Sequence, residues 1–167
     1  MIAEYRKAIT KMGFAGIHMD TYGFPKTAYS HLGEKPELIR LDQEIPSLIN
    51  QTREELAGAN QDPYLIFNNV GNWPVYSTAA AKQDAVYIEV WNPYERYSHT
   101  AQLIDEARQL SGGQRPIILA AYLEPFRKDS RERAMNAARI LTAAIVSNGA
   151  YHLLQGENQA VLPQGYY

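Results

Sequence analysis

Three observations predict an α/β protein in which helices surround a parallel sheet. Segments alternate along the chain in the order helix, then strand and helix four times, then a final strand. The strand segments are almost continuous apolar runs, which is typical of parallel strands covered on both faces. Acidic residues stand where two of these runs end, and this favours a (β/α) barrel over an open doubly wound sheet.

The first half of the chain predicts two helical regions around one strand. Residues 1–12 carry apolar side chains at helical spacing. A strand follows at Phe14–Asp20, and residues 21–35 have the Gly, Pro and Ser content of a long loop. A helical stretch opens at Pro36, and we expect Pro46 to break or kink it because proline lacks a backbone donor.

The second half repeats the strand and helix pattern more regularly. Helices are predicted at 76–82 and 97–110, and a third begins at Ser130, whose hydroxyl is suited to an N-cap. The tail after residue 154 is predicted to be a loop. The strands are predicted at Tyr64–Val70, Asp84–Trp91, Pro116–Leu123 and Ala150–Leu154.

Composition excludes several classes of partner. A chain of 167 residues is long enough for one domain with a sizeable core. The formal net charge of −2 gives no electrostatic basis for binding nucleic acid or an anionic membrane. No apolar run is long enough to span a bilayer, residues 1–15 lack the layout of a signal peptide, and no phosphate-binding glycine loop supports a nucleotide-binding domain.

Strand parity places two acids on one face of the predicted sheet. Side chains alternate faces along a strand, so Asp20 shares a face with His18, and Glu89 shares a face with Tyr87. The opposite faces are aliphatic and suit packing against helices. Both acids lie at C-terminal strand ends, with one strand between them, so they converge over the mouth of a barrel. The alternative, left open here, is that they are structural acids that cap a helix or form salt bridges.

Two convergent carboxylates are what glycoside hydrolysis requires. One attacks or stabilises the cationic sugar carbon, and the other protonates the leaving oxygen. Glu89 stands between two aromatic residues, a drier setting that favours the protonated form. Asp20 has more polar neighbours in sequence, which favour the ionised form.

Five blocks in this order resemble the catalytic barrel of glycoside hydrolase family 66, which contains endo-dextranases and cycloisomaltooligosaccharide glucanotransferases. The similarity covers nearly the whole chain. The blocks are GIHMDTYGFPK, FNNVGNWPVY, VYIEVWNPYERY, ILAAYLEPF and YHLLQGEN.

The resemblance implies a retaining enzyme that cleaves α-1,6-linked glucan such as dextran. It implies Asp20 as the nucleophile and Glu89 as the acid/base, with no metal and no organic cofactor. It also implies an extracellular or cell-surface location. The alternatives are a cyclising glucanotransferase and a non-catalytic carbohydrate-binding remnant.

The same resemblance implies that the chain is incomplete. A family barrel has eight strands, and the five predicted here match strands four to eight of a (β/α)8 TIM barrel. Residues 1–167 are therefore expected to be a single fragment of the catalytic barrel domain. Its two open sheet edges provide a route to self-association.

Four further residues are candidates for substrate binding, each beside a structural alternative. Asn68 either hydrogen-bonds a sugar hydroxyl or orders a loop. Trp91 either stacks on a sugar ring or packs in the core. Tyr122 and His152 lie near the ends of the last two strands and match positions of the family, although a lone histidine is more often structural.

Overall fold

The computed structural model describes residues 1–20, 25–59 and 62–154. The start of the predicted loop after Asp20 and the tail from residue 155 lie outside these ranges. The helices are α1 (Ile2–Met12), α2 (Leu41–Leu56), α3 (Val75–Thr78), α4 (Tyr97–Leu110), α5 (Pro125–Lys128) and α6 (Arg131–Ser147). The strands are β1 (Gly16–Met19), β2 (Thr27–Ser30), β3 (Glu37–Arg40), β4 (Tyr64–Val70), β5 (Ala85–Val90), β6 (Ile117–Ala121) and β7 (Tyr151–Leu153).

Five parallel strands form the main sheet, in the order β1-β4-β5-β6-β7. Each parallel strand therefore lies beside the one that precedes it in the chain, with no reversal of order. That is the order of a barrel, whereas a doubly wound sheet has a point where the order reverses. The prediction of a partial barrel with about five parallel strands is confirmed, and β1 and β7 are the edges of this sheet.

One face of the sheet packs against the helices in two apolar clusters. Met19, Leu65 and Phe67 of β1 and β4 pack against Ile45 and Ile49 of α2. The larger cluster joins alternate residues of β5 and β6 to α4 and α6. Its fully buried members include Val86, Ile88, Leu103, Ile104, Leu119, Leu141 and Ile145. The acids predicted on the other face therefore lie on the side of the sheet that the helices do not cover.

The connection from β1 to α2 corrects two predictions. We expected a loop over 21–35 and a helix from Pro36, but β2 and β3 form an antiparallel hairpin and α2 begins at Leu41. Leu38 and Ile39 are strand residues that pair with Tyr29 and Ala28. Their apolar spacing fits a helical pattern, but the pairing that decides their conformation is with residues nine and eleven positions away.

Pro46 does not break α2, which was one of the two effects expected of it. The helix runs unbroken from Leu41 to Leu56 with Pro46 as its sixth residue. As the sixth residue, Pro46 lies beyond the four N–H groups that have no intrahelical partner, so it removes one bond, which would have gone to the carbonyl of Asp42. Burial of Ile45 and Ile49 holds the helix together.

A buried carboxylate attaches the hairpin to the helices. Asp42, at the start of α2, accepts hydrogen bonds from Arg40 Nη2 at 2.7 Å and from the Tyr76 hydroxyl at 2.6 Å. These bonds, chiefly that from Arg40, lower the pKa of Asp42 below its usual range. The loop after β1 is therefore joined to the loop after β4 at the same end of the sheet as Asp20.

Candidate active site

Asp20 and Glu89 converge at the C-terminal edge of the sheet through a third residue, Asn68. Asp20 directly follows β1, Glu89 is the second-to-last residue of β5, and Asn68 lies on β4 between them. The Asn68 Nδ2 donates to Asp20 Oδ1 at 3.0 Å and to Glu89 Oε2 at 3.1 Å. The two carboxylate oxygens can therefore be no farther apart than the sum of these distances, about 6 Å.

Strand register explains why these three side chains meet. Met19 pairs with Phe67, so Asp20 comes level with Asn68, and Asn68 pairs with Tyr87. Paired residues of parallel strands point to the same face, as do residues two apart along one strand. Asp20, Asn68 and Glu89 thus share the face that the helices leave open.

An aromatic pair lies beside the acids on that face. The His18 and Tyr87 rings meet edge to face with their centroids 4.7 Å apart. Desolvation lowers the pKa of the His18 imidazole, and the negative charges of Asp20 and Glu89 oppose that shift. Asp20 and Glu89 therefore lie close to the His18 imidazole, whose lowered pKa favours the neutral ring. Glu89 is partly buried while Asp20 is exposed, which matches the drier setting expected for Glu89.

Two predicted substrate-binding residues line one cleft at the ends of β5 and β6. The cleft has a volume of about 560 Å³ and lies next to Glu89 in the chain. Trp91 remains 38% exposed there, so its indole offers surface to a ligand. The lining combines aromatic rings with carboxylates, the pairing that suits a sugar's apolar face and hydroxyl groups. Among the lining residues are Trp91, Tyr94, Glu95, Tyr122 and Glu124.

His152 lies on the opposite face from the acids. It pairs with Leu119, which faces the helices, and both of its ring nitrogens are engaged. Nδ1 lies 2.7 Å from the Thr142 hydroxyl of α6, and Nε2 lies 3.0 Å from the Ala121 carbonyl oxygen. A carbonyl only accepts, so Nε2 carries the proton and Nδ1 accepts from Thr142. The geometry favours the structural alternative for His152, and burial lowers its pKa.

Asn68 is a strand residue and not a loop residue. It is only 6% exposed, and its Oδ1 has no hydrogen-bond partner among the described residues. Strand parity of Asp20 and Glu89 alone does not predict the contact of Asn68 with both acids. The same parity, carried to the strand Tyr64–Val70, would have placed Asn68 on their face.

Three further residues, Trp73, Tyr94 and Glu95, lie in the loops that follow β4 and β5. Trp73 packs partly buried against the α2 cluster, and Lys26 Nζ covers its ring at 3.4 Å from the centroid. That cover favours a packing role over a sugar platform. Tyr94 and Glu95, in the turn after β5, contribute to the cleft although no sequence signal singled them out.

The described residues show no helix that is long and apolar enough to cross a membrane. Within those same ranges, no group of three or more His, Asp or Glu side chains could hold a metal ion. The hydrogen bonds and the lining of the cleft give the site two carboxylates, an amide and aromatic rings.

Comparisons with known proteins agree on one family. The sequence profile of Glycosyl hydrolase family 66 matches residues 1–167. Two cycloisomaltooligosaccharide glucanotransferases of Niallia circulans are 29% identical over 127 residues and 28% identical over 155 residues. These alignments cover 72% and 89% of this chain, but only 13% and 16% of the relatives.

A solved structure shares the fold. It is a cycloisomaltooligosaccharide glucanotransferase of Paenibacillus sp. complexed with cycloisomaltoheptaose. The match has a TM-score of 0.67 at 27% identity and covers 77% of this chain and 19% of that one. The family profile matches the whole chain, and the related sequences and the shared fold agree with that match. The chain belongs to glycosyl hydrolase family 66.

Proposed function

We propose that residues 1–167 are a single fragment of the catalytic barrel of a retaining enzyme acting on α-1,6-glucan. The observation that carries the proposal is the Asn68 bridge, which limits the separation of one oxygen of Asp20 from one of Glu89 to about 6 Å. Retaining pairs stand about 5–5.5 Å apart and inverting pairs about 6.5–9.5 Å. This upper limit on the distance between Asp20 Oδ1 and Glu89 Oε2 favours the retaining arrangement.

The two acids have different roles in this proposal. Asp20 attacks the anomeric carbon and forms a covalent bond to the sugar as the glycosidic bond breaks. Glu89 donates a proton to the leaving oxygen and then accepts one from the incoming acceptor. Water as the acceptor gives hydrolysis, and a sugar hydroxyl, including one at the far end of the same glucan, gives transfer or cyclisation.

The cleft at Trp91 and Tyr122 is the proposed binding site for a sugar ring beside Glu89. Its aromatic rings support stacking and its carboxylates support hydrogen bonds to hydroxyl groups. The ligand class follows from the relative whose structure holds cycloisomaltoheptaose, an oligosaccharide. We assign Asn68, Trp91 and Tyr122 to substrate contact, and an extracellular or cell-surface location accords with a polysaccharide substrate.

Azide rescue of two variants, made in the longest natural polypeptide that contains this chain, tests the roles. Asp20→Ala removes the nucleophile, so turnover of dextran should nearly vanish, and azide should restore some activity by attacking the anomeric carbon directly. That attack inverts the centre and yields a β-glucosyl azide. Glu89→Gln should lose most activity on dextran but retain glycosylation by aryl glucosides, whose leaving groups need little protonation. Azide should then give the α product.

Two results would overturn these roles. Near wild-type turnover of dextran by Asp20→Ala would exclude it as the nucleophile, and exchanged azide stereochemistry would reverse the assignment. Isothermal titration of isomaltooligosaccharides addresses the non-catalytic alternative. Binding that Trp91→Ala weakens, without any turnover in the intact protein, would identify a carbohydrate-binding remnant.

A second proposal concerns the sheet edges β1 and β7. Each has a paired strand on one side only among the described residues, and unpaired strand edges promote association. We expect this chain to associate with itself through these edges when it is isolated. Sedimentation that shows a monomer at high concentration would contradict that expectation.

A further inference from the structure

The turn between β5 and α4 forms one wall of the cleft that contains Trp91 and Tyr122. Tyr94 and Glu95 of this turn line the cleft, whose volume is about 560 Å³. Both residues also line a second cavity of about 250 Å³, which reaches Leu141 of α6. A side chain that borders open space loses packing contacts on that side. Packing therefore fixes this wall less firmly than it fixes the sheet.

His99, the third residue of α4, holds the backbone of this turn. Its Nδ1 accepts a hydrogen bond from Glu95 N at 3.0 Å and another from Arg96 N at 3.3 Å. Backbone N–H groups only donate, so Nδ1 carries no proton in this arrangement. The first N–H groups of a helix lack intrahelical partners, and a glutamate or glutamine at the third position commonly supplies one. His99 has that role in α4.

The side chains of the turn are held as well as its backbone. The His99 ring meets the Tyr94 ring edge to face, with the centroids 6.1 Å apart. Asn92 Nδ2 donates to Glu95 Oε1 at 2.7 Å, within the same turn. His99 itself is not one of the described residues that line the cleft. Its effect on a bound sugar therefore passes through Tyr94 and Glu95.

We propose that His99 is a positioning residue for substrate binding, which holds Tyr94 and Glu95 in place through the acceptor Nδ1. This inference rests on the proposed function and deepens it, because it names what fixes the affinity of the cleft for a sugar ring. A cleft that binds the sugar equally in the ground state and the transition state affects KM and leaves kcat unchanged. A change in KM alone is thus the kinetic signature of this role.

Two variants separate the acceptor of His99 from its ring. His99→Gln keeps an acceptor oxygen at the position where capping boxes carry glutamine, but it removes the ring that contacts Tyr94. His99→Phe keeps a ring but has no acceptor, so Glu95 N and Arg96 N lose this partner. The proposal therefore expects the glutamine variant, and not the phenylalanine variant, to bind substrate as the wild type does.

Thr100 provides a matched control. It follows His99 in α4 and is 3% exposed, and its hydroxyl donates to the Tyr97 carbonyl oxygen at 2.7 Å. Thr100→Val keeps the shape of the side chain and removes that hydrogen bond. It should therefore weaken the first turn of α4 while Glu95 N and Arg96 N keep their acceptor.

The test measures kcat and KM on dextran in the longest natural polypeptide that contains this chain. His99→Ala and His99→Phe should raise KM about 10-fold, the size expected for one lost hydrogen bond, and change kcat less than about 2-fold. His99→Gln should keep KM within about 2-fold of the wild type. Thr100→Val should unfold more easily in urea, with both constants unchanged per folded molecule.

A second measurement needs no turnover. Isothermal titration follows the binding of isomaltooligosaccharides to Asp20→Ala, and the added change His99→Ala should weaken that binding about 10-fold. The same change should have little effect when Tyr94→Ala and Glu95→Ala are also present. The wall through which His99 acts is then absent, so the effects of the substitutions do not add.

The outcomes separate the inference from the function on which it rests. If Asp20→Ala and Glu89→Gln lose activity while His99→Ala keeps the wild-type KM and affinity, the positioning role is wrong and the proposed function stands. Rescue by phenylalanine and not by glutamine would also overturn it, as would an equal rise of KM in Thr100→Val. If Asp20→Ala and Glu89→Gln retain activity, the proposed function fails and this inference fails with it.

Discussion

Replacing Gly16 by alanine should displace β1 from β4 and disturb the pair of acids. Gly16 begins β1, directly opposite Tyr64 of β4. A Cβ at this position would lie 2.5 Å from the Tyr64 carbonyl oxygen and 2.8 Å from its Cβ. Neither atom belongs to the flexible end of a side chain, so the strand itself must move.

The size of the effect follows from that distance. Restoring an ordinary contact requires a shift of roughly 1 Å, and overpacking of this kind costs about 1–3 kcal/mol. The same shift strains the bond from Tyr64 N to the Ala15 carbonyl at 3.0 Å. It also moves Asp20, four residues farther along, relative to Asn68.

Gly33→Ala is the matched control, because a Cβ there meets only the Lys35 carbonyl at 3.8 Å. Where alanine fits, the substitution stabilises by about 0.4–1 kcal/mol through the unfolded chain. Urea unfolding should therefore give Gly16→Ala a lower midpoint than wild type and Gly33→Ala an equal or higher one. Only Gly16→Ala should also lower turnover. Equal midpoints for the two variants would refute the claim that close approach of β1 to β4 requires glycine.

Three further predictions concern stability. Leu141→Ala should lower the free energy of unfolding by about 2–5 kcal/mol because Leu141 is fully buried, whereas Ile140→Ala, on the exposed side of the same helix, should change it little; urea unfolding of both checks this. Thr78→Val should cost about 1–3 kcal/mol in the same assay, since it leaves the buried Asn69 Oδ1 without its 2.6 Å donor. His152 should make the protein less stable as the pH falls below 6.5, because its folded pKa is lowered from that value and the unfolded chain binds the proton first. The dependence should be shallower in His152→Gln when midpoints at about pH 7.5 and about pH 5.5 are compared, and an unchanged slope would exclude this cause.

The sequence predicts correctly the helices and strands whose bounds depend on residues close together in the chain. The helix at Tyr97–Leu110 has the predicted bounds, and the strand at Tyr64–Val70 has them too. Ser130 accepts from Arg133 N at the start of α6, as its N-cap position predicts. These features depend on propensity, capping and periodicity within a few residues, which a single sequence contains.

The loop conformations needed more than local signals. The hairpin β2–β3 has no short turn motif between its strands, and its pairing joins residues such as Thr27 and Arg40. Trp91 and Tyr122 follow different strands, and only the packing of β5 beside β6 makes them walls of one cleft. Such contacts join segments that lie far apart in the chain, so no local pattern predicts them.

The sequence by itself determined that Asp20 and Glu89 stand at C-terminal strand ends on one face, because the alternation of side chains is a property of each extended strand. Only the tertiary structure decided that Asn68 joins them and that His152 turns to the helices. The physical reason is register: the level at which one parallel strand pairs with the next is set by the packing of the whole sheet on its helices. A slip of β4 by a single residue would send Asn68 to the opposite face, and the same slip of β7 would turn His152 away from the helices.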